Sequence, residues 1–198
     1  MGLDLEYLAG QTPLDDDEKE GLLIPTITTR GELDEFEQQS IEQAIQWSME
    51  ITFKVDAILS EDFVKTLHRK MFGAVWSWAG EFRTTNKNIG VDKWQIPIEL
   101  HKLLGDASYW ISNNAYSPDE LSIRFKHRIV SIHCFPNGNG RHSRLMADIL
   151  IEKIFKLPVF SWGEAGANNS DIMRADYIKA IRAADFGEME ALVKFARS

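Results

Sequence analysis

The sequence predicts a mainly α-helical domain with one short β-hairpin, on three observations. Apolar residues recur three and four positions apart through most of the chain after Thr29. Residues 74–97 break that rhythm with β-formers mixed with Asn and Gly turn residues. The composition is ordinary for a globular chain of 198 residues, 44% hydrophobic and 26% charged, which excludes a disordered or fibrous protein. A single cysteine, Cys134, leaves neither an internal disulfide nor a Cys-based zinc site.

Residues 1–28 carry Pro13, Pro25 and the run Asp15-Asp16-Asp17-Glu18-Lys19-Glu20 without a sustained period, and read as an irregular acidic arm. Residues 29–198 read as one helical domain. Thr29 and Glu32 have capping-box spacing, and Leu33, Phe36, Ile41, Ala44 and Ile45 follow at helical intervals. A second helix starts after Ser60 and buries Phe63, Leu67, Met71 and Phe72. The β-hairpin flap is expected near residues 82–97, with helical spacing resuming over 98–113. Ser117-Pro118-Asp119-Glu120 is a helix start, with cap, proline and acid in order. Leu121, Phe125, Ile129 and Ile132 give that helix an apolar face. A further helix opens near Asn139 and runs through Ile154; Ser170 caps another to about Ala184, and a last one covers 188–196.

Charge is unevenly spread. The first fifty residues hold 13 acids and 2 bases, the rest 17 acids and 20 bases, and the whole chain is −8. That total discourages a nucleic-acid partner. No apolar run approaches the roughly 18 residues of a membrane span, and the start shows no basic n-region or apolar h-region, so a cytoplasmic protein is expected. Against the acidic total, Leu121–Ala147 contains Arg124, Lys126, Arg128, Arg141 and Arg144 and no acid. Screening confines charge effects to about 8 Å at physiological salt, so this local field suits an anion.

The same stretch holds His133-Cys134-Phe135-Pro136-Asn137-Gly138-Asn139-Gly140-Arg141-His142-Ser143-Arg144 between two patterned helices. Its two glycines let the backbone turn sharply and present consecutive N–H groups at a helix N-terminus, a phosphate site. Arg141 and Arg144 stand three apart in the first turn, where cations are mildly unfavourable unless an anion offsets them. His133 is the nearest group able to take a proton at neutral pH. Rival motifs fail: the Gly-Asn-Gly turn follows a helix rather than a strand, and the chain has no P-loop, no His-Glu-x-x-His and no G-x-S-x-G elbow.

This run resembles the Fic family signature H-x-F-x-[DE]-G-N-G-R-x-x-R. Trp78-Ala79-Gly80-Glu81-Phe82-Arg83 is similar to the W-A-G-x-x-R that leads into the family's flap, and Arg174, Tyr177 and Ala180 match an R-x-x-Y-x-x-A-like helix. The likeness covers roughly residues 60–195 and is nearest to the subgroup labelled mobile mystery protein B. It implies a protein adenylyltransferase that moves AMP from ATP to a Tyr, Thr or Ser hydroxyl. By position, the catalytic residues are His133 as base, with Arg141 and Arg144 stabilising phosphate charge. Nucleotide binding falls to Gly138, Asn139, Gly140, Arg141, Arg144 and Tyr177, and Phe135 anchors the loop. A protein target would dock on the flap by strand addition.

Two positions depart from the pattern. Asn137 replaces the acid that binds Mg2+, offering an oxygen without charge. The family's inhibitory [ST]-x-x-x-E-[GN] pattern is met only in part by Thr28 and Glu32, so restraint falls to Glu32 or to an antitoxin-like partner. The alternatives are a Fic relative that transfers another phosphate-containing group, and a weakly active Fic domain acting as a regulated toxin-like binding module.

Overall fold

The computed structural model describes residues 13–163 and 170–198. Its helices are α1 (Asp16–Lys19), α2 (Arg30–Glu50), α3 (Val55–Ile58), α4 (Glu61–Phe72), α5 (Ile96–Ser112), α6 (Pro118–Ile132), α7 (Asn139–Ile149), α8 (Ser170–Asp185) and α9 (Glu190–Arg197). A π-helical turn, Leu150–Ile154, extends α7. None of the described helices is long and apolar enough to cross a membrane.

Helix starts are set by local chemistry. The hydroxyl oxygen of Thr29 accepts from the Glu32 N–H at 3.3 Å, and the Glu32 carboxylate accepts from the Thr28 and Thr29 N–H groups at 2.9 and 3.0 Å. Glu32, one of the two candidates for restraint, is therefore spent on the expected capping box that closes the N-terminus of α2. Ser60 and Ser117 cap α4 and α6 in the same way, accepting from the Phe63 and Glu120 N–H groups.

α6 is the organising helix, buried on most sides. Phe125, Ile129 and Ile132 join a large core with residues of α2, α4, α5 and α7. Ile123 joins a smaller one with Ala147, Ile151, Phe160, Ala180, Ala184, Met189, Leu192 and Ala196. α2 buries Leu33, Glu37, Ser40, Ile41, Ala44 and Ser48. Phe36 and Ile45, counted in its apolar pattern, lie exposed. They share the helical period but sit off the stripe that includes Glu37, a polar residue no hydrophobic pattern would place inside.

The expected hairpin over 82–97 is not formed: the described residues contain no strand, only the isolated bridge Leu22–Trp76. Residues 83–92 are irregular and 93–95 make one 3-10 turn into α5. Arg83 supplies the reason. Its Nη1 donates to the Thr85 carbonyl at 2.8 Å and its Nη2 to the Val91 carbonyl, so the guanidinium sits between the two arms where strand bonds would form. The segment's backbone pairs instead with the signature loop: Arg83 N–H donates to the Cys134 carbonyl at 2.9 Å and Val91 N–H to Ile132 at 3.3 Å.

The acidic arm is tied to this segment. The Lys87 ammonium, 4% exposed, donates to Asp15 at 2.9 Å and Glu18 at 2.5 Å, and the Thr85 hydroxyl donates to Asp15 at 2.8 Å. Leu23 and Ser77 N–H groups donate to Val75 and Gly21 carbonyls, zipping the arm along residues 75–77. Two of the acids that make the front of the chain so negative therefore neutralise one buried lysine of the flap.

Candidate active site

The loop joining α6 to α7 begins and ends in left-handed backbone. His133 closes α6 at φ 58°, and Gly138 opens α7 at φ 77°. At Gly138 only glycine fits, because an added Cβ would lie 2.5 Å from the Phe72 ring. Gly138→Ala adds left-handed strain to a clash with a core aromatic. It should lower stability by roughly 2–4 kcal/mol, read as a lower denaturant midpoint with unchanged slope.

Between those ends the loop is pinned from inside. The Asn139 side chain accepts from the Phe135 N–H at 3.0 Å and donates to the Phe135 carbonyl at 2.7 Å. Only the backbone of Asn139 is thus available to a phosphate, not its amide. Phe135 is fully buried and stacks on His68 with ring centroids 3.8 Å apart. The His142 ring contacts the Val64 carbonyl through Nε2 at 3.0 Å. By helix geometry the first N–H groups of α7, those of Asn139, Gly140 and Arg141, point out of its N-terminus without intrahelical partners.

His133 is buried, and its backbone carbonyl accepts from Arg83 Nε at 2.6 Å. Burial, then the Arg83 charge, push its pKa down to about 4, so the imidazole is neutral at pH 7 and able to accept a proton. Burial likewise holds His142 at about 4 and pushes the Cys134 thiol up to about 12, which keeps that thiol protonated. These shifts imply acid sensitivity. A histidine depressed from 6.5 to about 4 binds fewer protons folded than unfolded between those values, so its stabilisation is complete above pH 6.5 and is lost as pH falls toward 4. His133 and His142 should each cost ~3 kcal/mol over that window. Asp148, raised by burial to about 6, offsets part of the loss, since its protonation favours the fold. Denaturant unfolding at pH 7 and pH 4 should therefore show a net fall of several kcal/mol.

The two signature arginines are held by different neighbours. Arg141 Nη1 donates to Glu37 Oε2 at 2.6 Å, and its guanidinium lies 4.8 Å from the Phe72 ring centroid. Glu37, 3% exposed on α2, also accepts from Trp76 Nε1 through Oε1 at 2.6 Å. Arg144 instead lies over the Tyr177 ring at 5.3 Å, with its Nε buried and without a partner among the described residues. The Tyr177 hydroxyl accepts from Lys126, a fully buried lysine whose pKa burial and Arg144 bring down to about 7. Tyr177 is thus placed beside Arg144. The side chain of Arg174, from the same matched pattern, lies outside the described residues.

Asn137 was the metal expectation, and its surroundings do not fit a protein-held cation. Its side-chain oxygen accepts from the Gly138 N–H at 2.6 Å, and its carbonyl contacts His68. Among the described residues no group of three or more His, Cys, Asp or Glu side chains could hold a metal ion. One neutral oxygen already in use is a poor seat for Mg2+.

Sequence reasoning missed Glu37, His68 and Arg83 as a loop clamp, and it counted Lys126 only in the basic stretch, not as the partner of Tyr177. Of the three missed, Arg83 carried a signal, through its place in W-A-G-x-x-R.

Comparison with known proteins bears on this geometry. Residues 58–151 match the Fic/DOC family. A protein adenylyltransferase fic-1 of Caenorhabditis briggsae is 26% identical over 141 residues, 69% of this chain and 26% of that protein. A protein adenylyltransferase Fic of Drosophila grimshawi is 28% identical over 133 residues, 65% of this chain and 26% of that protein. The match thus spans about a quarter of the length of these curated relatives. Among solved structures, Fic-1 (residues 134–508) of C. elegans is similar at TM-score 0.66 and 21% identity, covering 90% of this chain and 51% of that one. BepC of Bartonella tribocorum, solved with bound AMPPNP, is similar at TM-score 0.64 and 16% identity, covering 92% and 97%. At those identities the structural likeness speaks to the fold.

Proposed function

Because residues 58–151 match the Fic/DOC family, we propose that the chain is a protein adenylyltransferase acting on a Tyr, Thr or Ser hydroxyl. The observation that carries the reading is the loop itself. It sets a neutral, buried His133 at one end and the open N-terminus of α7 with Arg141 at the other. The adenylyltransferase names of the relatives support ATP as the substrate.

In this reading the α- and β-phosphates of ATP lie against the backbone N–H groups of Asn139, Gly140 and Arg141, where free donors and the helix dipole act together. The negative phosphates beside His133 raise its pKa from about 4 toward neutrality, improving it as a base. His133 takes the proton of the target hydroxyl, and the hydroxyl oxygen attacks the α-phosphorus. The bond from that phosphorus to the bridging oxygen breaks, and pyrophosphate leaves with the electron pair. Arg141 and Arg144 stabilise the charge that develops on it. No step is routed through a metal, since Asn137 is engaged elsewhere.

The protein target docks on residues 83–92 by backbone pairing, with exposed Ile89 and Trp94 beside it. Glu37 is the restraining acid in place of Glu32: it draws the Arg141 guanidinium toward α2. A weakly active, toxin-like binding module remains the second reading, favoured by the neutral Asn137 at the acid's position. To separate the two, the purified protein is incubated with ATP and a host lysate, and modified peptides are sought by mass spectrometry. AMP on Tyr, Thr or Ser, strongly reduced with His133→Ala, is the expected result. Complete absence of AMP-bearing peptides would favour the binding module.

A further inference from the structure

His68 lies on α4, outside the signature, yet it touches both parts of the site. Its Nδ1 accepts from the Gly80 N–H at 3.0 Å, and its Nε2 lies 3.0 Å from the Asn137 carbonyl oxygen. An amide N–H can only donate and a carbonyl can only accept. The ring therefore carries its single proton on Nε2, and no other protonation state satisfies both contacts. We propose that His68 is a positioning residue: fixed in the Nε2–H form, it joins the signature loop to the root of the flap and sets the Asn137–Gly138 peptide from which the N-terminus of α7 starts.

The peptide plane carries that constraint. The Asn137 carbonyl and the Gly138 N–H belong to one planar trans unit and point in opposite directions. Holding the carbonyl on His68 turns the Gly138 N–H to the opposite side, where the Asn137 side-chain oxygen meets it at 2.6 Å. The ring cannot swing away, because it is fully buried and stacked on Phe135 at 3.8 Å, with Phe72 at 4.8 Å. Gly80 is also confined. It has φ 83°, and an added Cβ would lie 2.8 Å from the Lys65 carbonyl, so only glycine brings its N–H this close to the ring.

Charge around the ring favours the same state. Burial pushes the His68 pKa well below its ordinary value, and His142 and Arg141 on α7 and Arg69 on α4 act in that direction; the Asn137 carbonyl opposes it. A second proton would set an N–H against the Gly80 N–H, breaking the contact at the flap root.

The role of His68 in catalysis rests on the adenylyltransferase reading; its tautomer and contacts do not. Three variants separate the two contacts. In His68→Gln the amide reaches the Nε2 position and can still donate to Asn137. In His68→Asn it reaches the Nδ1 position and can accept only from Gly80. His68→Phe keeps the stacking and neither bond. Nitrogen NMR of the wild-type ring should show Nε2 protonated and Nδ1 bare. Amide exchange at Gly138 should quicken about three- to tenfold in His68→Asn and His68→Phe and stay near wild type in His68→Gln. ATP affinity by calorimetry should follow the same order, with melting temperatures similar for Gln and Asn. A ring protonated on Nδ1, or Gly138 exchange that tracks melting temperature alone across the three, would overturn the proposal. If the wild type binds no ATP, the adenylyltransferase reading fails, while the tautomer and exchange results still decide the role of His68.

Discussion

His133→Ala should cut AMP transfer by about 10²–10⁴-fold while leaving ATP affinity within about threefold. The asymmetry follows from which atoms of His133 do what. The backbone carbonyl that Arg83 Nε holds at 2.6 Å survives the substitution, so the clamp between flap and loop stays closed. The Cβ, which packs against Gly90, also survives. Only the imidazole is lost, and phosphate binding is assigned to the N–H groups of α7. Left-handed backbone at residue 133 is borne by histidine and alanine alike, so the stability change comes from losing a buried ring, and melting would register it separately. Initial transfer rates together with calorimetric ATP affinity check the split. A parallel loss of binding and rate would mean that the ring is structural.

Glu37→Gln should tighten ATP binding about ten- to a hundredfold. The wild-type carboxylate faces two donors, Trp76 Nε1 at 2.6 Å and Arg141 Nη1 at 2.6 Å. Glutamine offers one oxygen and one NH2. The oxygen goes to the Trp76 N–H, because that donor is buried and costly to orphan, and the NH2 then faces the arginine. Arg141 loses a charge-assisted hydrogen bond of about 1.5–3 kcal/mol and becomes available to phosphate. Glu37→Ala would mix this effect with the cost of an unpartnered Trp76 N–H, which makes glutamine the cleaner variant. Calorimetry with ATP is the measurement. Weaker binding in Glu37→Gln would mean that Glu37 orients Arg141 rather than restraining it.

What could be read in the chain was the local chemistry. The caps at Thr29, Ser60 and Ser117 act within three residues, and each helix start they imply is found. The signature is contiguous, so its loop and the start of α7 were also legible. Long-range choices were not. Glu37 meets Arg141 across 104 residues, and nothing in a helical apolar pattern marks a carboxylate as the residue to bury. The flap failed as a hairpin because β-former content cannot show that an arginine side chain will take the carbonyls two strands would share. The acidic arm was visible as charge, but its destination, the buried Lys87, was not. Tyr177 was placed by resemblance; its link to Lys126 depends on how α8 packs on α6.

The most direct test is the position of the transferred label. The protein is incubated with the unmodified form of the target that mass spectrometry identifies and with ATP labelled either at the α- or at the γ-phosphorus. Attack by the target hydroxyl at the α-phosphorus predicts label on the target from α-labelled ATP only, with γ-label released in pyrophosphate and transfer by His133→Ala slowed by about 10²–10⁴-fold. Label arriving from the γ-position, or transfer at an undiminished rate without the His133 imidazole, would contradict it.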